Sequence, residues 1–165
     1  MMGAWRAMTA RDLDAVSAIS DGVHGRYTEP RAIYAERLAL YPAGCLVWER
    51  EGALAGYLVS HPWRTGEPPA LGIPLGGLPA TPDSYYLHDL ALLPSARGTG
   101  AGTAAVRIVV ECAQAAGFED IFLVAVGGAD RFWMRQGFAV VPDGGIAEVL
   151  RNAYGPGAVY MRRHI

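Results

Sequence analysis

Residues 90–105 read LALLPSARGTGAGTAA, and no other stretch of the chain restricts the fold so tightly. An apolar run ends at Pro94, glycines follow at positions 98, 100 and 102 behind Arg97, and a helical pattern begins at once. Proline ends a strand because it removes a ladder donor, and glycines allow a turn that side chains would obstruct. From 101 to 116, Ala101, Ala104, Ala105, Ile108, Val109, Cys112, Ala115 and Ala116 share one helical face. Thr103, Arg107, Glu111 and Gln114 share the other, and Gly117 is a natural stop. The unbroken apolar run IFLVAV at 121–126 has the character of a buried parallel strand. Strand, helix and strand in this order make a right-handed βαβ unit and commit the chain to an α/β architecture.

The flanking segments agree with that reading. A strand at Trp5–Met8 leads into a helix opened by Thr9 and Asp12 in capping-box spacing and running to about Ile19. Pro30 suits the first position of a second helix carrying Ile33, Leu38 and Leu40. CLVWERE and LAGYLVSH predict a hairpin turning near Glu51 and Gly52, and Tyr85–Leu93 a buried strand. A short helix at 129–136, a strand at FAVV and a last strand at AVYMRR (158–163) complete the chain, with Tyr154 in the loop before the last strand. Residues 62–82 hold six prolines and four glycines, which exclude a helix or a central strand. That segment is either a solvated insertion or, given Leu71, Ile73, Leu75 and Leu78, a lid or wall for a substrate.

With 165 residues the chain suits a single domain, 1–165, around one core. A net charge of −2 gives no basic patch of the kind nucleic acid requires. All 14 basic side chains are arginines, and without lysine both a P-loop and a pyridoxal phosphate Schiff base are excluded. Cys45 and Cys112 lie in apolar surroundings without metal-ligand spacing, as reduced cysteines of a cytoplasmic protein do. No metal site and no membrane span are expected.

A helix opening after Gly100 presents unpaired N–H groups and the positive end of its dipole, which suits phosphate oxygens. Arg97 adds a full charge beside them. The same glycines would also serve a tight packing turn. The spacing G-x-G-x-G, late in the chain, departs from the dinucleotide fingerprint G-x-G-x-x-G of a first βα turn. His88 and Asp89 stand mid-strand before the glycines, on opposite faces if the strand alternates regularly. His88 has the right chemistry for a general base. It serves equally as a hydrogen-bonded structural residue.

RGTGAG after LALLP resembles the R/Q-x-x-G-x-G/A signature of the GCN5-related N-acetyltransferase (GNAT) family. WRAMTARDLDAV is similar to that family's opening strand and helix, and FWMRQGF to its late F-Y-x-x-x-G-F segment, so the resemblance spans essentially the whole chain. It implies a mixed sheet of six or seven strands, splayed in the middle and flanked by about four helices, with acetyl-CoA in the splay. The main chain of Leu90, Ala91 and Leu92 would bond the pantetheine arm, and Arg97, Gly98, Thr99, Gly100, Ala101 and Gly102 would hold the pyrophosphate. A tyrosine often stands in that family where this chain has Trp133, which is left to pack against the cofactor or the core. Tyr154 or Tyr27 is then the candidate acid, or, since a thiol is itself fairly acidic, the CoA thiolate leaves with only water and hydrogen bonds to stabilise it.

Tyr27, His24, Trp63 and the 62–82 loop would border the acceptor, a primary amine of a small molecule or peptide. Similar proteins are frequently homodimers. The implied activity is direct acetyl transfer. The alternative is a catalytically silent acyl-CoA sensor.

Overall fold

The apolar runs pair edge to edge into one sheet. The computed structural model describes residues 3–142 and 144–165. Its elements, in chain order, are β1 (Ala4–Ala7), α1 (Leu13–His24), α2 (Arg31–Leu40), β2 (Cys45–Arg50), β3 (Ala53–Trp63) and β4 (Ser84–Leu92). They continue with α3 (Ala101–Ala115), β5 (Asp120–Ala125), α4 (Asp130–Arg135), β6 (Ala139–Val140), α5 (Gly144–Tyr154) and β7 (Val159–His164). The seven strands lie in the order β1-β2-β3-β4-β5-β7-β6. Only β4 and β5 pair in parallel, joined through α3 as the βαβ unit requires.

Local chemistry explains most of these boundaries. The Thr9 N–H donates to the Asp12 carboxylate at 2.8 Å and fixes the start of the first helical segment, which runs past Ile19 to His24. Glu51 and Gly52 both take positive φ (53° and 79°), the signature of a two-residue hairpin turn matched to strand twist. β3 continues through Pro62 to Trp63, further than its proline would suggest. The reason is that β2 begins at Cys45, opposite Val59, so the later half of β3 has a free edge where no ladder donor is needed.

The core lies on both faces of the sheet. α3 and Trp133 of α4 cover one face, with Val106 and Val109 packed on Tyr85, Leu87, Ile121 and Met161. α1 and α2 cover the β2–β4 half of the other face through Val16, Ile19 and Tyr34 on Val47, Tyr57 and Val59. α5 covers the remainder through Ile146 and Leu150 on Tyr86, Phe122 and Tyr160. Each large apolar side chain buried in this way contributes about 1.5–3 kcal/mol.

Two expectations need correction. The buried stripe of α3 runs through Ala101, Gly102, Ala105, Val106, Val109 and Ala113, whereas Ala115 and Ala116 are exposed. Alanine carries too little apolar area to fix a helix's rotation, so the larger Val106 and Val109 decide it. The segment before the last strand, read as loop, is the fifth helix. Ile146, Leu150 and Tyr154 recur every four residues along it, which is the periodicity that could have revealed it. Among the described residues no helix is long and apolar enough to cross a membrane.

Gly56 on β3 faces Leu92 on β4, where a Cβ would sit 2.7 Å from the Leu92 side chain and 2.9 Å from the Ala91 carbonyl oxygen. Gly56→Ala is therefore expected to cost about 1–3 kcal/mol by overpacking. A lowered urea midpoint at unchanged m-value is the expected reading, and an unchanged midpoint would refute this close fit.

Candidate active site

A cleft opens where β4 and β5 part. Their parallel pairing covers only Tyr85 with Ile121 and Tyr86 with Phe122, and beyond it the two strands diverge. A cavity of about 360 Å³ occupies the gap, with Leu87, Leu90, Leu123 and Val124 in its walls. On its other edge β4 stays bonded to β3, where the Leu93 N–H donates to the Ala55 carbonyl at 2.7 Å. Antiparallel alternation from that bond gives Ala91 its main-chain bonds with Tyr57 and turns those of Leu90 and Leu92 toward the cleft. Ala91 thus drops out of the expected main-chain contacts. Leu90 and Leu92 remain, although the Arg97 Nε already donates to the Leu92 carbonyl at 3.2 Å.

The glycine turn lies at the outer end of this cleft. Gly98 and Gly100 take φ of 76° and 87°, which side chains rarely adopt, and open space surrounds both. Gly102 is different: a Cβ there would lie 3.1 Å from the Phe132 ring, so this glycine serves packing between α3 and α4. The Thr99 hydroxyl donates to the Ala96 carbonyl and accepts from the Ala101 N–H, bracing the turn. The Ala101 carbonyl is taken by the Trp5 indole N–H at 3.0 Å. What the turn offers a ligand is the first-turn N–H groups of α3 that follow Ala101, with Arg97 on the cavity rim.

At the inner end β4 carries one extra residue. Asp89 pairs with Val59 and Leu87 with the next residue, Ser60, leaving His88 without a partner opposite. This bulge overturns the expectation that His88 and Asp89 point to opposite faces, for both line the cavity. The His88 Nε2 lies 2.7 Å from the Glu29 Oε1, with only 2% and 3% of the two side chains exposed. The Glu29 Oε2 accepts the Gly72 N–H at 2.7 Å. A carboxylate on Nε2 makes that nitrogen the donor and leaves the lone pair on Nδ1, which is buried without a hydrogen-bond partner.

Asp89 anchors a second pair. Its Oδ1 lies 2.7 Å from the His24 Nε2, while Oδ2 accepts the hydroxyls of Tyr57 (2.5 Å) and Tyr34 (3.1 Å). Burial pushes the Asp89 carboxyl up, but the His24 hydrogen bond and charge outweigh it and hold the group below the usual carboxylate range. Burial also works against a charged His24, yet Asp89, with Glu29 behind it, raises the imidazole above its ordinary value. The Glu29 carboxyl is lowered as well, because His88 and the Gly72 N–H overcome its desolvation.

The other expected residues divide. His24, Tyr27, Tyr154 and Trp133 line the cavity. The Tyr154 hydroxyl donates to the Pro69 carbonyl at 2.7 Å, and burial pushes its pKa up to about 12, so its proton is firmly held. The Tyr27 hydroxyl accepts from Arg26 at 2.6 Å. Trp133 wedges edge-on between Phe132 and Phe138 with one side on the cavity. Trp63, expected beside the acceptor, is instead buried against Tyr86, Phe122 and Ile146, with its indole N–H on the Glu67 carbonyl. Leu71 supplies the loop's share of the wall, and the loop is fastened by Glu29 at Gly72 and by Glu36 at Leu75 and Gly76.

Glu29 escaped the sequence reading because 59 residues separate it from His88. The one available signal was a carboxylate between Tyr27 and the helix-opening Pro30. Among the described residues no group of three or more His, Cys, Asp or Glu side chains is placed to hold a metal ion.

A family model described as the acetyltransferase (GNAT) family matches residues 11–138. Among solved structures, the GphF GNAT-like decarboxylase in complex with isobutyryl-CoA is similar with a TM-score of 0.80 at 18% identity, covering 98% of each chain. Ard1 from Thermoplasma volcanium is similar at 0.73 and 14% identity, covering 100% of this chain and 99% of that one. Rv2747 from Mycobacterium tuberculosis, solved with CoA and NLQ, gives 0.70 and 17% over 98% and 99%. At these identities the likeness is one of fold. No curated protein matches the chain by sequence.

The two shifts at the His24–Asp89 pair fix its pH window. The raised His24 contributes fully below its unfolded value of about 6.5 and loses that contribution as pH rises through its folded value. The depressed Asp89 contributes above about pH 4 and loses it as pH falls. His24→Gln should therefore cost on the order of 1–3 kcal/mol near pH 5–6 and less in alkaline solution. Urea unfolding at several pH values measures this, and a pH-independent cost would contradict the charged pairing.

Proposed function

Because the chain belongs to the acetyltransferase (GNAT) family, we propose that it moves an acetyl group from acetyl-CoA to a primary amine of a small molecule or peptide by direct transfer. The observation that carries this reading is the alignment of three parts along one cleft. They are the glycine turn before α3, the cleft-facing main chain of Leu90 and Leu92, and the bulge that turns His88 and Asp89 into the cavity. The α3 N-terminus and Arg97 bind the pyrophosphate, as helix starts bind phosphates elsewhere. The pantetheine amides add to β4 as a short extra strand, with Arg97 leaving the Leu92 carbonyl for a phosphate.

At the inner end His88 acts as the base. Glu29 holds its Nε2–H and so directs the Nδ1 lone pair to the acceptor's proton. The acceptor, entering as the neutral amine, attacks the thioester carbon and gives one N–H proton to His88 as the C–N bond forms, while a β4 main-chain N–H beside the bulge stabilises the oxyanion. Direct transfer fits a cavity with no cysteine thiol among its described lining residues. Among the described residues both cysteines lie outside the cavity lining, Cys45 buried in the core with its thiol pushed up to about 12 by burial.

A second reading, an acyl-CoA sensor without turnover, is favoured by one observation. Trp133 stands where a phenol could serve as acid, and the Tyr154 proton is committed to Pro69.

Calorimetry with acetyl-CoA and CoA, together with thiol release across a panel of amines, separates the readings. The transferase binds both ligands and releases CoA with at least one amine. His88→Ala then lowers kcat by about 10²–10⁴-fold at unchanged CoA affinity, and Gly100→Val weakens CoA binding by about tenfold. Binding without release across the panel would establish the sensor, and failure to bind CoA would end both readings.

A further inference from the structure

The proposed transfer leaves one proton unassigned, the one that must reach the CoA sulfur. Tyrosine is absent at position 133, and of the two remaining phenols on the cavity Tyr154 gives its proton to Pro69, whereas Tyr27 accepts from Arg26 and, among the described residues, lacks a carboxylate partner to hold it in place. Besides Glu29, His88, Asp89 and Arg97, whose roles are given above, the wall holds His24, at the C-terminal end of α1 and bonded to Asp89. A pantetheine arm running along Leu92 and Leu90 ends beside Asp89, because the pairing of β4 with β5 at Tyr86 closes the cleft beyond. The sulfur then arrives in the cavity that Leu90, Trp133 and His24 line.

Resting on that transferase reading, we propose that His24 is the general acid of the reaction, held by Asp89 and delivering its proton to the leaving thiolate. The geometry of the pair serves this role. Asp89 is held at both oxygens, Oδ1 on the His24 Nε2 and Oδ2 on the Tyr57 and Tyr34 hydroxyls, so the pair is fixed in place. The Tyr57 ring meets the imidazole edge-on with centroids 6.4 Å apart, and the Ser20 hydroxyl, 2.7 Å from that of Tyr34, locks the network from behind.

With Nε2 committed to Asp89, the Nδ1–H is the proton to give. The charged and titratable groups around it are Asp89 on β4, Glu29 before α2, Tyr57 on β3, Tyr34 on α2, and His88 and Tyr27 on the cavity wall. The two carboxylates favour the imidazolium over the neutral ring.

The step balances. The amine nitrogen forms the C–N bond with its lone pair and passes its proton to His88. The C–S bond breaks with its electron pair on sulfur, and the sulfur takes the proton from His24. After the products leave, solvent returns a proton to His24, whose side chain is 19% exposed, and the proton on His88 leaves through the emptied cavity.

The test uses bound CoA itself and needs no acceptor. Thiolate absorbance is titrated for CoA on the wild-type protein and on His24→Gln, and His24 is titrated by NMR in the wild type with CoA and with desulfo-CoA. The proposal expects the bound thiol to titrate about one pH unit lower on the wild type than on His24→Gln. It expects the His24 titration to lie higher with CoA than with desulfo-CoA, a comparison that stands even if the variant fails to fold. A thiol unaffected by the substitution, or identical His24 titrations with the two ligands, overturns the role of His24 while leaving the transferase reading intact. CoA that does not bind the wild type overturns both.

Discussion

A single unpaired residue in β4 sets the terms for everything around it. With His88 inserted opposite the step from Val59 to Ser60, the strand changes phase, and side chains that alternate regularly up to Leu87 restart at Asp89. Two consequences follow from the same displacement. Polar residues that would have been split between the two faces stand side by side on the face beneath α1 and α2. Leu90 and Leu92 return to the α3 side, in contact with the core and with the cleft. A regular strand in this place would bury either the histidine or the aspartate under α3, among aliphatic side chains with no partner, at a cost of several kcal/mol.

Each polar side chain introduced by the bulge is met by a partner from a different part of the chain. Glu29 comes from the segment before α2, His24 from the end of α1, and Tyr34 and Tyr57 from α2 and β3. Those partners are what make burial of so much charge tolerable, because a buried carboxylate keeps its charge only when its oxygens are occupied. They also tie the helical layer to the strand it covers. The proline- and glycine-rich loop joins the same scheme, for Glu29 divides its two oxygens between His88 and Gly72.

The parts of this arrangement legible in the sequence are those written in adjacent residues. The glycine turn, the βαβ unit, the Glu51–Gly52 hairpin turn and the Thr9–Asp12 cap are local patterns whose physics acts within a few residues, and each forms where it was expected. The bulge left no such mark, since its register is decided by the β3 partner and by what each face of β4 must bury. Regular alternation therefore misdirected Asp89, and Ala91 was counted toward the cleft although the ladder with β3 claims it. Trp63 was misplaced for a related reason: its strand was thought to end before Pro62, and the two extra residues of β3 carry it under α5 instead.

The divergence of β4 from β5 leaves a length of strand edge unpaired inside the molecule, and an unpaired edge is a template for any other extended chain. Here the edge is short, it lies at the bottom of a cleft rather than on the rim of the sheet, and the Arg97 side chain already occupies the carbonyl nearest the mouth. A polypeptide seeking to add a strand would have to displace that arginine to reach the Leu92 carbonyl. An edge kept inside the molecule in this way is sheltered from the edges of other sheets, which is where such pairing begins.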